Sequence, residues 1–94
     1  MIVAPSDVEF SKDNVYQPDV FFIRTERLGI IDKHGPKGAP DIVVEVISGS
    51  TGRLDLGPKK MIYTEKGVEE FWVVLPRTEE IEVYRLQELS LIHI

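Results

Sequence analysis

The chain has 94 residues and a net charge of −5, and 43% of its residues are hydrophobic while 29% are charged. This length suits one small domain, and the absence of cysteine excludes disulfides and thiolate metal sites. No apolar run reaches the roughly 20 residues that a membrane helix needs, and the acidic balance argues against a protein that coats nucleic acid. Because residues 1–7 also lack the features of a secretory signal, we expect a cytoplasmic protein.

The first quarter of the sequence predicts two extended segments. Residues 2–10 carry apolar side chains among polar ones, and residues 15–24 read as a second strand that Pro18 interrupts. The polar residues 11–14 between them are typical of a turn. A short turn between two strands predicts an antiparallel pair.

Residues 25–39 favour less regular structure. Thr25 and Glu26 suit the start of a helical turn that extends to residue 31. Residues 32–39 contain Gly35, Pro36 and Gly38, which interrupt regular elements, so we expect a loop there.

The most apolar stretch of the chain runs from Ile42 to Ile47 and predicts a strand that is buried on both faces. Glu45 interrupts it. Burying an isolated carboxylate costs on the order of several kcal/mol, so such a group is usually neutralised, paired or bound to a metal. Glu45 is therefore the strongest single indication of a chemical site, although pairing with a Lys or Arg, or exposure of one strand face, would also explain it.

The second half of the sequence predicts one helix and two more strands. Residues 53–66 read as helical, with Pro58 close to the start and Gly67 as a stop signal. Residues 69–75 and 80–86 predict strands. Because a strand–helix–strand unit implies a parallel pair, we expect an α/β (α+β) fold with a mixed sheet and the helix on one face.

Three residues in these elements suggest a reaction. Asp19 and Glu45 come from neighbouring predicted strands, and two such carboxylates with a backbone carbonyl can hold Mg²⁺ or Mn²⁺. A metal of this kind lowers the pKa of a bound water and stabilises charge on a scissile phosphate. Lys59, on the helix that leaves the Glu45 strand, can return to orient that water. Taken singly, each has an ordinary alternative: an exposed turn aspartate, a paired glutamate and an exposed helix lysine.

Several motifs surround these residues. They are Gln17–Asp19, Gly38–Ser48, Ser50–Thr51, Asp55, Lys59, Tyr63 and Gly67–Trp72. Together they resemble the Uma-type restriction endonuclease family, a branch of the PD-(D/E)XK nuclease superfamily, and the resemblance covers residues 2–86. It implies a restriction-endonuclease-like core.

The resemblance also implies roles for individual residues. Asp19 and Glu45 would be catalytic carboxylates that bind Mg²⁺ or Mn²⁺, with the backbone carbonyl of Val46 as a third ligand. Ile47 stands where the superfamily usually has its lysine, so the catalytic lysine is expected on the helix, as Lys59. The secondary candidates are Gln17, two positions before Asp19; Lys60, the alternative to Lys59; and Asp55 and Tyr63, on the helix face that carries Lys59.

The implied function is metal-dependent hydrolysis of phosphodiester bonds in DNA. The alternative is a nuclease-like module without catalysis that serves binding or homodimerisation, which the displaced lysine and the acidic balance favour. A purely structural role is a third interpretation. Two further departures from the family pattern are Gly49 in place of a proline and Leu75 in place of an aspartate.

The ends of the chain suggest a fragment. Family domains are longer and open with helical material that this sequence lacks, so we expect residues 1–88 to form one truncated domain with an apolar sheet face exposed. Residues 89–94 match the translation of a sequencing adapter and are expected to be a non-native tail, in which His93 has no function.

Overall fold

The computed structural model of the chain describes residues 2–3, 7–47, 56–88 and 90–94. Within these ranges the chain forms strands, one 3₁₀ helix and one α-helix. In chain order they are β1 (Ile2–Val3), β2 (Val8–Ser11), β3 (Asn14–Tyr16), β4 (Val20–Phe22), the 3₁₀ helix (Thr25–Ile30), β5 (Ile31–Asp32), β6 (Gly35–Pro36), β7 (Ile42–Val46), α1 (Leu56–Lys66), β8 (Glu70–Leu75), β9 (Glu80–Gln87) and β10 (Ser90–His93).

Six of the described strands form one sheet in the order β1-β4-β7-β8-β9-β10. Strands β7 and β8 are parallel and α1 lies in the connection between them, whereas the other neighbouring pairs are antiparallel. In the interior strand β7, Val44 is paired with Val20 on one side and Trp72 on the other. The mixed sheet and the parallel pair around one helix confirm the predicted fold class.

The N-terminal region differs from its prediction in two places. Residues 15–24 do not form one strand, because β3 pairs with β2 in a separate hairpin while β4 joins the main sheet. The division falls at the buried Pro18, which has no amide hydrogen to continue a ladder. The predicted loop of residues 32–39 contains part of a short hairpin, β5–β6, where Gly35 has a φ of 112° that glycine adopts without strain.

The described part of α1 runs from Leu56 to Lys66 and ends at the predicted residue, whereas residues 53–55 of the predicted helix lie outside the described residues. Pro58 is its third residue, in the first turn, where amide hydrogens have no intrahelical acceptor. Gly67 follows the helix with a φ of 85°, and the amide of Val68 donates to the carbonyl of Tyr63 at 2.9 Å. Neither helix in the described ranges is long and apolar enough to cross a membrane.

The core lies between one face of the sheet, α1 and the β2–β3 hairpin. Tyr63 of α1 is 0% exposed, and its ring lies 5.1 Å from the ring of Phe71 in an edge-on arrangement. On its other side the Tyr63 ring is 5.0 Å from that of Phe10. Aromatic pairs of this geometry contribute about 0.5–1.5 kcal/mol beyond the burial of their surface. The face of α1 that carries Tyr63 is therefore fixed against the sheet.

The opposite face of the sheet is open in the described part of the chain. Along β7, Val43 and Glu45 are buried, whereas Val46 on the other face is 44% exposed. Phe22 and Ile81 of that face are also exposed, at 37% and 58%. The prediction that β7 is buried on both faces is therefore wrong for the described structure, and the alternative of one exposed face describes it.

Residues near the C-terminus add an edge strand to the sheet. Strand β10 pairs with β9, and Leu91 is 5% exposed against the core. The His93 ring lies 5.0 Å from the ring of Tyr84. The non-native origin expected for residues 89–94 stays a prediction, and Leu89 itself lies outside the described residues.

Candidate functional site

Glu45 lies on the buried face of β7, where 5% of its surface is exposed. The Lys59 ammonium donates a hydrogen bond to its Oε2 at 2.9 Å. This is the ion pair that the sequence left open as an alternative to a metal site. The ion pair engages Oε2 of Glu45, while the buried Oε1 has no hydrogen-bond partner among the described residues.

Lys59 reaches Glu45 because of the direction of α1. The helix connects two parallel strands, so it runs back along the sheet and its first turn lies near the end of β7 that carries Glu45. The Lys59 side chain is 27% exposed, which keeps its charge within reach of water. The structure thus brings Lys59 to the position that its place in the chain predicted.

Asp19 lies on the exposed connection from β3 to β4 and faces the same end of β7. Its Oδ2 accepts a hydrogen bond from the backbone amide of Val46 at 2.7 Å. Strand β4 begins at Val20, opposite Val44, so the Asp19 side chain occupies the position at which a longer β4 would have paired with Val46. The amide and carbonyl of one strand residue point to the same side, so the Val46 carbonyl opens toward Asp19 as well.

The pKa of Glu45 is raised above its ordinary value. Burial is the largest cause, since it disfavours the charged form; the hydrogen bond and charge of Lys59 act in the opposite direction. The Asp19 carboxylate raises the pKa further and the Asp19 backbone amide lowers it. A cation bound beside the two carboxylates would offset the repulsion by which Asp19 raises the pKa of Glu45.

The oxygen atoms around the end of β7 are suitable ligands for a hard divalent cation. Carboxylate oxygens from Asp19 and Glu45 and the Val46 carbonyl are the ligand types that Mg²⁺ and Mn²⁺ prefer. No cluster of three or more His, Cys, Asp or Glu side chains suited to a metal occurs among the residues that the structure describes. The remaining ligands would therefore be the backbone carbonyl and water. In the structure the positively charged Lys59 ammonium lies beside the Glu45 carboxylate, where a metal cation would also bind.

The secondary candidates lie in different places. Gln17 is exposed on the connection between β3 and β4, outside any strand, so strand alternation does not place it beside Asp19. The Lys60 ammonium lies 4.1 Å from the centre of the Tyr84 ring, away from Glu45. Tyr63 is fully buried under the site. Asp55 lies outside the described residues.

A second buried carboxylate, that of Asp41, stands at the opposite end of β7. It accepts a hydrogen bond from the backbone amide of Arg24 at 2.7 Å and from the Arg27 guanidinium at 2.8 Å. These contacts tie the 3₁₀ helix to the sheet, which is a structural role for Asp41. Its arginine partners were not predicted from the sequence, because they lie 17 and 14 residues earlier in the chain, although a buried carboxylate requires charge compensation.

Known proteins resemble this chain in sequence and in fold. A family model described as "Uma2: Putative restriction endonuclease" matches residues 1–93. The fold is similar to that of the crystal structure of "a putative nuclease belonging to DUF820" from Anabaena variabilis, with a TM-score of 0.73 and 20% identity over 93% of this chain and 50% of that chain. This chain therefore spans about half the length of that structure. No curated protein matches it.

Proposed function

Because the chain belongs to the Uma2 restriction endonuclease family, we propose that it carries the metal-dependent site of a nuclease that hydrolyses phosphodiester bonds in DNA. One observation carries the proposal: Asp19, the end of β7 and Lys59 meet around the buried carboxylate of Glu45. In this proposal Asp19, Glu45 and the Val46 carbonyl hold Mg²⁺ or Mn²⁺. The family description supports DNA as the substrate.

Each residue contributes through its contacts. A bound Mg²⁺ supplies Lewis-acid stabilisation of the phosphate and lowers the pKa of an attacking water. The Val46 amide holds one oxygen of Asp19 at 2.7 Å and so fixes the carboxylate that faces the metal. Glu45 presents Oε2 on the side of Lys59. The ammonium of Lys59 then orients the water and stabilises the negative charge that develops on the phosphate.

Lys59 has two roles in this scheme. Without a cation it neutralises Glu45 at 2.9 Å. With a cation bound there, the Lys59 ammonium would be free to turn toward the scissile phosphate, which its 27% exposed side chain allows. A lysine on a helix thus serves where the usual motif has one on the strand, at the position of Ile47.

Cleavage of supercoiled plasmid DNA in Mg²⁺, with a chelator as the negative control, tests this proposal. Asp19→Asn, Glu45→Gln and Lys59→Met should each slow cleavage by about 100-fold or more, since the two carboxylates would hold the cation and Lys59 would stabilise the charge that develops on the phosphate. The matched control is Lys60→Met, the neighbouring lysine on Tyr84, which should retain cleavage. Absence of metal-dependent cleavage by the folded wild-type protein would contradict the proposal, as would full activity of Glu45→Gln.

The open face of the sheet favours a second candidate function, a nuclease-like module that binds a partner or a second copy of itself without catalysis. Phe22, Val46 and Ile81 form an exposed apolar surface across three strands of this face. Such surfaces commonly mark interaction sites. This candidate predicts a concentration-dependent dimer with no affinity for Mg²⁺.

A further inference from the structure

Two buried polar atoms beside the site have no hydrogen-bond partner among the described residues. They are Oε1 of Glu45 and the hydroxyl oxygen of Tyr63. The two residues are 5% and 0% exposed, so bulk water does not satisfy these atoms. Because buried polar atoms in native proteins are nearly always hydrogen-bonded, a pair of unsatisfied atoms in one region calls for a common explanation.

Helix geometry directs the Tyr63 hydroxyl toward Glu45. Tyr63 follows Lys59 by four residues, so both side chains leave the same face of α1. Lys59 contacts Oε2 of Glu45 at 2.9 Å. Side chains of a helix lean toward its N-terminus, and the N-terminal turn of α1 is the one beside Glu45. The phenol therefore extends along the helix toward the carboxylate that Lys59 holds.

The electrostatic surroundings of Tyr63 agree with this direction. The pKa of the phenol is raised, first by burial and then by the negative charge of Glu45, with smaller contributions from Tyr16 and Asp19. The negative charges of both acidic residues of the proposed site therefore act on the phenol, that of Glu45 more strongly than that of Asp19.

The ring of Tyr63 is held by its neighbours. It lies 5.0 Å from the ring of Phe10, 6.2 Å from that of Tyr16 and 5.1 Å from that of Phe71. These contacts restrict the rotation of the ring. The hydroxyl consequently has a defined position set by the core, which is the property that a positioning group requires.

We propose that Tyr63 is a positioning residue whose hydroxyl donates a hydrogen bond toward Oε1 of Glu45 through one shared internal water molecule. The water accepts from the phenol and donates to the carboxylate, so that both unsatisfied atoms gain a partner. Lys59 and Tyr63, one helical turn apart, then hold the two oxygens of Glu45 separately. The carboxylate is oriented with Oε2 toward the side of the site that the cation and substrate approach.

The first test uses the metal-free protein. In ¹H NMR the Tyr63 hydroxyl proton should exchange slowly enough to give a resonance, which Tyr63→Phe removes and thereby assigns. This resonance should show cross-relaxation to water. It should also shift in Glu45→Gln, because the water that accepts from the hydroxyl then donates to an amide and not to a carboxylate. A hydroxyl that exchanges as fast as that of an exposed tyrosine, or a resonance that Glu45→Gln leaves in place, would overturn the proposal.

The second test measures Mn²⁺ affinity by calorimetry and rests on the proposed function. Tyr63→Phe keeps the ring and removes only the hydroxyl, and it should weaken Mn²⁺ binding by about 10- to 100-fold, the range for groups that orient metal ligands. The matched control is Tyr84→Phe, whose lost hydroxyl bonds Glu82 at 3.2 Å on β9, two strands from β7. Equal affinities for the two variants would overturn the proposal, and similar melting temperatures would show that the fold is intact.

The proposals fail in different ways. If the wild-type protein binds no Mn²⁺ but its Tyr63 hydroxyl resonance responds to Glu45→Gln, the metal site is refuted and the link between Tyr63 and Glu45 is supported. If Mn²⁺ binds through Glu45 while Tyr63→Phe leaves the affinity unchanged and Glu45→Gln leaves the Tyr63 hydroxyl resonance in place, the link is overturned and the nuclease site is retained.

Discussion

The ammonium nitrogen of Lys59 lies 2.9 Å from Oε2 of Glu45 and joins the first turn of α1 to the end of β7. This contact compensates a carboxylate that is 5% exposed. It is also the centre of the proposed catalytic site. Since Tyr63 anchors the same helix face in the core, docking of α1 and assembly of the site depend on each other.

Removing the charge of Lys59 should destabilise the protein more than removing that of its neighbour. Lys59→Met leaves a buried carboxylate without its hydrogen bond and should cost about 1.5–3 kcal/mol at neutral pH. Lys60→Met loses only the contact with the Tyr84 ring, which is worth about 0.5–1 kcal/mol. Urea denaturation of both variants measures the difference. Equal losses would show that the Lys59–Glu45 pair contributes nothing beyond a surface contact.

Substitutions of the two buried carboxylates at the ends of β7, Asp41 and Glu45, should differ in their effect on metal binding. Asp41→Asn weakens charged hydrogen bonds from Arg24 and Arg27, and it should lower the free energy of unfolding by about 1.5–3 kcal/mol. Its Mn²⁺ affinity should equal that of the wild type, because Asp41 lies at the other end of the strand. Loss of metal binding by a folded Asp41→Asn protein would mean that the cation site has been misplaced.

Ionisation of Glu45 should make the protein less stable as the pH rises. The native pKa of Glu45 lies above its ordinary value of 4.5, so the folded state keeps this proton at pH values where the unfolded chain has lost it. The stability that this proton contributes is complete below 4.5 and is lost as the pH rises through the native pKa. Unfolding free energies from about pH 4 to about pH 8 should therefore fall for the wild type relative to Glu45→Gln, whose side chain does not titrate. A difference that grows in favour of the wild type would contradict the raised pKa.

The open sheet face should govern self-association. Ile81→Lys introduces a charge on that face, where Ile81 is 58% exposed, and should weaken any concentration-dependent dimer seen by sedimentation velocity. Met61→Lys is the matched control, because Met61 is 73% exposed on α1, which covers the other face of the sheet. If both variants associate as the wild type does, the open face is not the interface.

The sequence was sufficient to predict that Lys59 returns to Glu45, while the role of these residues in a metal site stays a prediction. A Val- and Ile-rich run interrupted by Glu45 marked the central strand, and the helix after it carried Lys59 back to that strand. Pairing with a lysine describes Glu45 in the structure, whereas the exposed face of the strand is the one opposite Glu45. The ion pair is compatible with the proposed metal site, in which a cation would take the place of the Lys59 ammonium at that carboxylate.

Other features depended on tertiary contacts that local patterns do not encode. Residues 15–24 look like one strand, yet Pro18 divides them between a hairpin and the main sheet. That break is also what frees Asp19 to bind the Val46 amide. The arginine partners of Asp41 come from the 3₁₀ helix and from the residue just before it, and only the folded chain brings these residues together with Asp41.

Titration of Mn²⁺ into the folded protein by calorimetry, with Glu45→Gln in parallel, tests the central claim most directly. We predict saturable binding by the wild-type protein and its loss in Glu45→Gln, with similar melting temperatures for both. A wild-type protein that melts cooperatively but binds no Mn²⁺, or a Glu45→Gln protein that binds it equally well, would contradict the proposed site.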